Sequence, residues 1–420
     1  MKDKHCLIHK NPGGAPANVV VAAQRLGAQT AFIGKVGEDF LGDFLKETLD
    51  KCGVSTEGLI SDADYFTTLA FVKLADNGER NFAFARKPGA DIRLKAEEVR
   101  KDIICQSRIF HVGSLSLTDE LSRNAEFIAL KAAKNNGIII SYDPNYRASL
   151  WDSQEEACKW MRSILEYADI VKVSEEEIEL LTGYTDVRKA AESITEYGAK
   201  IVLITLGEKG SFVYLQDQQE AYVSGYSSKV VDTTGAGDSF MGGFLYKICE
   251  SGKRIEEYSL QEMIECVRFG NAMASLCVER EGAIPAMPVM EEAIFDLVVA
   301  QNAVQEGFVP DIISSDNNAS SWFLQPLHSL PRILSKYVDF GMSLESVLLT
   351  ATKKPAHLIG HPELGTLKVG TPADLVIFKD KRKQVPYEDC NGHTFIGHHV
   401  LVPQMTFKDG RCVYCQADFQ

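Results

Sequence analysis

The stretch Asp-Thr-Thr-Gly-Ala-Gly-Asp-Ser-Phe-Met-Gly-Gly, residues 232 to 243, is the one around which the rest of the chain is organised. Apolar residues at helical spacing follow it (Phe244, Leu245, Ile248), so it predicts a tight turn that opens a helix. Glycine at positions 235 and 237 keeps the backbone N–H groups accessible. Because N–H groups at a helix start bind anions, the turn predicts a site for a phosphate.

Asp238 is the unexpected member of this turn, because a carboxylate repels a phosphate unless it has a task there. The natural task is that of a general base, which takes a proton from a hydroxyl while the amides stabilise charge on a transferring phosphoryl group. An ordinary Asp cap of a helix also explains a Gly-x-Gly-Asp sequence, and it is the favoured interpretation of the turn in isolation. The rest of the chain must decide between the two.

Length, composition and charge narrow the class of protein. The chain has 420 residues, of which 45% are hydrophobic and 24% charged, so two globular domains are expected. The net charge of −14 disfavours nucleic acid and anionic membranes as partners. We find neither an apolar leader nor a run of about 18 apolar residues, and the ten cysteines form no framework. These features predict a cytoplasmic protein with reduced thiols.

Two segments near the start have the composition of a ligand-binding edge. The turn-rich loop at residues 11 to 18 precedes an apolar helix at 19 to 26, and its Gly13, Gly14 and Asn18 suit a polyhydroxylated ligand as well as they suit a simple helix cap. Residues 68 to 74 and 80 to 86 alternate with period two and predict a β-hairpin. We interpret this hairpin as a lid or a dimer surface, whose Arg86 could reach a substrate, although a solvated surface arginine is the commoner outcome.

Strands and helices then alternate, which is the pattern of a doubly wound parallel sheet. The predicted strands are 109 to 112, 138 to 142, 170 to 173 and 201 to 205, and the predicted helices are 120 to 135, 154 to 167, 175 to 182 and 188 to 197. Ligands bind beyond the carboxyl ends of such strands. Two residues in these positions are candidates for ligand binding. Arg147 could compensate the charge of a phosphate, and Glu177 could hold Mg²⁺ through water. No P-loop or dinucleotide-binding motif is present.

The chain from about Asn11 to Pro288 closely resembles the pfkB (ribokinase-like) sugar kinases, and among them the fructokinases. The resembling motifs lie at residues 11–18 (Asn-Pro-Gly-Gly-Ala-Pro-Ala-Asn), 33–39, 141–147 (Ser-Tyr-Asp-Pro-Asn-Tyr-Arg), 172–177, 205–210, 232–240 and 282–288. The resemblance implies a doubly wound ribokinase-like α/β domain over residues 1–288 with a small β lid. It also implies ATP, Mg²⁺ and a sugar as ligands.

The resemblance further implies the role of each matching residue. Asp238 would be the base, and the amides of Gly235, Ala236 and Gly237 would form the anion hole. Residues at the sugar and its phosphate would be Gly13, Gly14, Asn18, Arg86, Asn145 and Arg147. Residues at the nucleotide would be Ser174, Glu177, Thr205, Gly207, Gly210 and Asn271. Glu177 would help to position Mg²⁺, and Asp232 and Thr234 would bind a monovalent cation such as K⁺.

The sequence departs from that family in two places. The family's first strand, with an Asp that contacts the sugar, is absent before Asn11, so we expect weakened folding or sugar binding. Residues 289–420 resemble instead the C-terminal part of dihydroorotase-like amidohydrolases, an α/β segment followed by a small β part. There Asp316 would face a metal, but no His-x-His pair accompanies it and His357 and His361 read as surface residues. Hydrolase activity is therefore not expected from this apparent fusion.

The prediction is an ATP-dependent kinase that phosphorylates a ketohexose, with fructose at its 6-hydroxyl favoured. Kinases of this fold that act on ribose, a nucleoside or 2-keto-3-deoxygluconate are alternatives. A catalytically weak or silent fusion that still binds sugar and nucleotide is a rival of another class, and an active C-terminal hydrolase is a third. The lid hairpin is the predicted surface for a homodimer.

Overall fold

The computed structural model describes residues 10–74, 80–290, 297–305, 307–314, 329–388 and 394–416. The chain divides into two compact units, Met1–Ala293 and Ile294–Gln420. Among the described residues, no helix has both the length and the apolar character needed to cross a membrane. The expectations about a missing first strand and about Asp316 concern segments that lie partly or wholly outside these ranges.

The first unit alternates strands and helices along most of its length. Its strands are β1 Ala31–Gly37, β2 Ser55–Asp62, β3 Leu69–Leu74, β4 Arg80–Ala85, β5 Ile109–Val112, β6 Ile139–Tyr142, β7 Ile170–Ser174, β8 Ile201–Thr205, β9 Ser211–Leu215 and β10 Glu220–Val223. Its helices are α1 Ala15–Arg25, α2 Phe40–Lys51, α3 Lys101–Gln106, α4 Glu120–Asn135, α5 Gln154–Leu165, α6 Ile178–Thr182, α7 Val187–Thr195, α8 Ala236–Ser251 and α9 Leu260–Cys277.

A six-stranded sheet in the order β10-β9-β8-β7-β6-β5 forms the centre of this unit. Strands β5 to β8 run parallel, whereas β9 and β10 are antiparallel to their neighbours. One apolar cluster includes Leu130 of α4 and Met161 of α5, and a second includes Phe240 of α8 and Val267 of α9. Because both clusters also contain side chains of the sheet, helices cover it on both faces, and the predicted doubly wound fold is confirmed.

Two smaller sheets accompany the central one. Strands β1 and β2 pair in parallel, and β3 and β4 pair as an antiparallel hairpin, with Leu69 opposite Ala85. The hairpin was predicted from the period-two alternation and is confirmed. Strand β2 was not predicted, because its sequence, Ser-Thr-Glu-Gly-Leu-Ile-Ser-Asp, has no regular alternation of polar and apolar residues.

Several predicted elements have the expected bounds to within a residue or two, and two helices begin three or more residues away from the predicted start. The strand at 109–112 and the helix at 120–135 agree with the prediction residue for residue. The helix expected from residue 175 begins only at Ile178, because residues 175–177 form a turn in which the Glu177 carboxylate binds backbone N–H groups. Helix α1 begins at Ala15 instead of residue 19, since Pro16 suits the first helical turn.

Close packing of α8 against α1 sets the position of the glycine-containing turn that opens α8. A Cβ atom on Gly242 of α8 would lie 2.4 Å from Cβ of Ala22 and 2.9 Å from the carbonyl oxygen of Val19 in α1. Only glycine permits this approach of the two helices. Gly235, which precedes α8, has a φ of 81°, in the left-handed region that glycine favours. The two glycines thereby bring the first turn of α8 beside the first turn of α1.

The second unit contains helices followed by a three-stranded antiparallel sheet. Its helices are α10 Leu297–Gln305, α11 Leu330–Asp339, α12 Leu344–Ala351 and α13 Lys353–Leu358, and its strands are β11 Leu375–Glu388, β12 Thr394–Lys408 and β13 Arg411–Cys415. Ser335 Oγ and the Asp339 carboxylate of α11 accept backbone N–H groups of β12. These bonds fix α11 on the sheet. The expected small β part is present, and in the described residues before it the expected α/β segment contains helices without strands.

Candidate active site

Asp238 lies in the first turn of α8 and is only 7% exposed. The Asn18 Nδ2 group donates to its Oδ2 atom at 2.7 Å, and the Asn145 Nδ2 group donates to its Oδ1 atom at 3.2 Å. Burial raises the pKa of Asp238 to about 6, with the Asn18 hydrogen bond opposing that rise. Two amide side chains therefore orient a buried carboxylate that can accept a proton near neutral pH.

Asn18 has a buried acceptor that points to a ligand. The residue is 3% exposed, and its Oδ1 atom has no hydrogen-bond partner within the described part of the chain. An unpaired buried acceptor is costly, on the order of 1–3 kcal/mol. A hydroxyl group bound next to Asp238 would supply the missing donor, as expected for a polyhydroxylated ligand.

Asn145 reaches Asp238 from a strained backbone position just after β6. Its φ of 47° lies in the left-handed region, which asparagine tolerates better than most residues. Strain of this kind persists where surrounding contacts enforce it. Here the Asp143 Oδ1 atom accepts the Asn145 N–H at 3.2 Å, and this hydrogen bond stabilises the backbone of the loop.

The turn before α8 offers free backbone donors. The N–H groups of Gly235, Gly237 and Asp238 have no acceptor among the described residues, whereas the N–H of Ala236 donates to the Thr233 carbonyl at 3.3 Å. The positive end of a 16-residue helix adds to their attraction for an anion. The turn can therefore bind a phosphoryl oxygen through the amides of its glycines, with Ala236 contributing less than its neighbours.

A buried ion pair that the sequence analysis missed lies behind this turn. Lys172 Nζ is 2.9 Å from Asp143 Oδ2, and the two side chains are 7% and 3% exposed. A Cβ atom on Gly237 would lie 2.9 Å from Lys172 Nζ, so the ammonium group borders the turn itself. One signal was available: in β7, Ile-Val-Lys-Val-Ser, Lys172 is a charged residue directly between two valines.

Glu177 holds the ends of two neighbouring strands together. Its Oε1 atom accepts the Tyr146 N–H at 2.7 Å, and its Oε2 atom accepts both the N–H and the hydroxyl of Ser174 at 2.9 Å. These bonds fix the loop that carries Asn145 and Arg147. A carboxylate so engaged has lone pairs left for a water on a metal ion but is poorly placed to bind the ion directly.

Arg86 is buried at the base of the hairpin and is bound to protein groups. It pairs with Asp91 at 2.7 Å and donates to the Leu115 carbonyl at 2.8 Å and to Thr118 Oγ1 at 3.1 Å. The arginine therefore fixes the hairpin to the segment that follows β5. Of the predicted loop glycines, Gly13 lies beside Ala283, and the Gly14 carbonyl accepts the Asn18 N–H at 2.8 Å.

Of the residues predicted at the nucleotide, Thr205, Gly207 and Gly210 lie where β8 ends and β9 begins, and Asn271 of α9 packs beside them. Gly207 and Gly210 have φ angles of 61° and 100°. A Cβ atom on Gly210 would lie 2.1 Å from the Val223 carbonyl, so no other residue fits there. Asn271 donates to the carbonyls of Val223 and Ser224 at 3.1 Å and accepts the Ser211 hydroxyl at 2.6 Å. Asn271 thus supports the loop beside Gly210.

Thr205 and Asp232 hold loops in place. The Thr205 carbonyl accepts the Glu175 N–H at 3.0 Å. The Asp232 carboxylate accepts the N–H of Thr234 at 2.8 Å and that of Gly282 at 3.0 Å, joining two loops. Within the described ranges, no group of three or more His, Cys, Asp or Glu side chains is arranged to hold a metal ion.

The structure brings some of the predicted residues together and leaves others in separate clusters. Asn18, Asn145 and Asp238 are in direct contact, and Ser174 and Glu177 hold the loop beside them. Arg86, Asn271 and Asp232 each belong to a cluster of their own. The resulting arrangement, a buried base next to unpaired amides, is suited to transferring a phosphoryl group to a hydroxyl.

Residues 7–290 match the model of the pfkB family carbohydrate kinases, and residues 295–413 match that of the amidohydrolase family. Fructokinase-2 of Solanum lycopersicum is 44% identical over 286 residues, which are 68% of this chain and 86% of that protein. Fructokinase-2 of Oryza sativa subsp. japonica is 42% identical over 285 residues, 68% of this chain and 84% of that protein.

Solved structures give the same result for the fold. A fructokinase of Xylella fastidiosa with bound ATP superimposes with a TM-score of 0.64 at 32% identity, covering 70% of this chain and 91% of that one. A fructokinase of Vibrio cholerae O395 with fructose, ADP and calcium bound has a TM-score of 0.63 at 34% identity, covering 68% and 91%.

Proposed function

Since the chain belongs to the pfkB family of carbohydrate kinases, which are phosphotransferases with an alcohol group as acceptor, we propose that it phosphorylates D-fructose at the 6-hydroxyl with ATP as donor. The observation that carries the proposal is Asp238, a buried carboxylate held by two amides at the start of α8. The identity to fructokinases supports the choice of sugar.

The proposed reaction moves one proton and one phosphoryl group. Asp238 takes the proton of the sugar hydroxyl as that oxygen bonds to the γ-phosphorus, and the bond from phosphorus to the bridging oxygen breaks to release ADP. The amides of Gly235 and Gly237 stabilise charge on the equatorial oxygens. The unpaired Oδ1 atom of Asn18 accepts a hydroxyl of the sugar, which aligns the ring with the base.

Mg²⁺ is the proposed metal, and when bound with the nucleotide it would neutralise charge on the phosphates. Glu177 fits a contact through water, because both of its oxygens already accept hydrogen bonds. A K⁺ ion at Asp232 and Thr234 rests on the family resemblance alone, and comparing turnover in potassium and in tetramethylammonium buffers tests it. The free thiols of all described cysteines support a cytoplasmic, reducing location.

The test uses the purified full chain with MgATP and four acceptors: fructose, ribose, adenosine and 2-keto-3-deoxygluconate. We expect the highest kcat/KM with fructose, and ³¹P and ¹³C NMR of the product should place the phosphate on C6. Preference for another acceptor would overturn the choice of sugar. Calorimetry with fructose and a non-hydrolysable ATP analogue tests the alternative of a catalytically silent fusion. Binding of both ligands without turnover would support that alternative.

A further inference from the structure

We propose that Lys172 and Asp143 form a positioning pair for Asp238: the pair holds the Asp238 carboxylate in place through Asn145 and acts on it with two charges of opposite sign. The proposal rests on the proposed function and adds to it two residues that the family comparisons do not assign. It is carried by a continuous chain of contacts from the centre of the sheet to the base.

The first part of that chain is the ion pair itself. Lys172 and Asp143 are 6% and 2% exposed as whole residues, and Lys172 Nζ is 2.9 Å from Asp143 Oδ2. Buried pairs contribute little net stability, because desolvation of the two charges offsets their attraction. A contribution to stability therefore does not explain this pair. Lys172 borders the turn that precedes α8, which points to a role at the site.

The second part leads from Asp143 to the base. The Oδ2 atom of Asp143 is fixed by Lys172, and its Oδ1 atom accepts the Asn145 N–H at 3.2 Å. That bond supports the left-handed backbone of Asn145, whose side chain donates to Asp238 Oδ1 at 3.2 Å. Loss of the ammonium group would free the Asp143 carboxylate to turn, and the Asn145 amide would lose its orientation toward Asp238.

The third part is electrostatic. The charged or titratable groups that act on Asp238 are Asp143 after β6, Lys172 of β7, Arg147 in the loop after β6, and Cys277 of α9, while Asn18 of α1 is neutral. Burial is the largest influence and raises the pKa of Asp238; Asp143 raises it further, and Lys172 and Arg147 lower it. Removing Lys172 should therefore raise the pKa of Asp238, and removing Asp143 should lower it.

The experiment is a cycle of four full-length proteins: the unaltered chain, Lys172→Met, Asp143→Asn and the double variant. The pH dependence of kcat/KM is measured with saturating MgATP and limiting fructose. We expect the acidic limb to move up by about 0.5–1 pH unit in Lys172→Met, to move down by a similar amount in Asp143→Asn, and to return toward the original position in the double variant. Limbs that coincide in all four proteins, with only thermal stability changed, would overturn the proposal.

A second readout separates this proposal from the proposed function. The titration of Asp238 is followed by NMR of ¹³Cγ-labelled aspartate, with the signal assigned from its loss in Asp238→Asn. If the unaltered chain turns over none of the sugars, the proposed function fails, but opposite shifts of this signal in the two single variants still support the positioning pair. Equal or absent shifts contradict it. Should Lys172→Met not fold, a downward shift in Asp143→Asn supports the pair, and an upward or absent shift contradicts it.

Discussion

Asp238 shows how the surroundings of one side chain set the conditions under which it works. A general base must be ionised to accept a proton, and burial raises the pKa of this carboxyl to about 6. We therefore predict that kcat/KM for phosphorylation falls about tenfold per pH unit below about pH 6 and levels off above it. Initial rates between pH 4.5 and 8.5 check this; a limb near pH 4, where an exposed Asp titrates, would contradict it.

The same residue makes a direct test of the chemistry. Asp238→Asn keeps the size of the side chain but removes the base, so kcat should fall by about 10²–10⁴. The matched control is Asp217→Asn, at an exposed turn between β9 and β10, which should retain the original rate. Circular dichroism of both variants shows whether they fold. Turnover near the original rate in folded Asp238→Asn would exclude Asp238 as the base.

Asn18 should affect the sugar more than the nucleotide. Asn18→Ala removes a donor to Asp238 and the acceptor that is unpaired in the structure, and each such hydrogen bond is worth about 1–3 kcal/mol. We predict that KM for the sugar rises by about 10- to 100-fold while KM for ATP changes little. Asn136→Ala, at the exposed end of α4, is the control. Equal increases in both KM values would argue against a sugar contact.

Residues of the site were predictable where a local motif contains them. The glycine turn, Asn18 and Asn145 follow from short stretches with turn residues, and their chemistry is legible there. Lys172 was missed because its partner, Asp143, follows a different strand, and no local pattern encodes a contact between residues 29 positions apart. The engagement of Arg86 with Asp91, Leu115 and Thr118 was hidden for the same reason.

At the scale of elements, the contact between α1 and α8 connects packing with catalysis, because α1 carries Asn18 and α8 carries Asp238. Gly242→Ala would place a methyl group 2.4 Å from Cβ of Ala22, so the helices must separate. We predict a loss of about 1–3 kcal/mol in the free energy of unfolding and a lower kcat. Urea denaturation and initial rates check it.

Gly113→Ala is the matched control for that substitution, because its new methyl group would meet the Asp143 carbonyl at an ordinary 3.5 Å. It should cost less stability than Gly242→Ala. If the two variants were equally stable, close packing of α1 on α8 would not be the reason for glycine at 242.

The hairpin of β3 and β4 presents apolar side chains to solvent. Phe71 is 48% exposed and Val72 is 47% exposed, while Arg86 fixes the base of the hairpin. We predict that the chain forms a homodimer through this hairpin and that Phe71→Asp weakens it. Analytical ultracentrifugation across a range of concentrations measures the equilibrium, with Phe66→Asp, at an 80% exposed position outside the strands, as the control. An unaltered chain that stays monomeric at high concentration would contradict the prediction.

Element prediction succeeded where periodicity was strong and failed where side-chain contacts decided the backbone. Strand β5 and helix α4 follow from clear patterns of apolar residues. Residues 175–177 have the composition of a helix start. They form a turn instead, because the Glu177 carboxylate accepts hydrogen bonds from the N–H groups of Tyr146 and Ser174. Such a competition between local propensity and a tertiary contact cannot be judged from the sequence.

For the whole molecule, the sequence predicted two parts of different family resemblance, and the family matches at 7–290 and 295–413 confirm that the chain joins them. The length of the kinase resemblance and its distinct motifs made this possible. The details of the second part were less predictable, because its match rests on fewer residues. Exposed apolar side chains such as Leu358, Leu367 and Val369 show that the described part of this unit leaves much apolar surface uncovered.

The division into two units leads to a final prediction about activity. Every side chain of the candidate site lies in Met1–Ala293, and Ile294–Gln420 forms a compact unit with its own core around Ile333, Leu334 and Val347. Units of this kind depend little on each other for folding. A variant that ends at Ala293 should therefore keep kcat/KM within about twofold of the full chain and the same acidic limb near pH 6. Side-by-side kinetics and thermal unfolding check this. A variant that remains folded but loses most of its turnover would contradict this prediction and show that the second unit contributes to the kinase reaction.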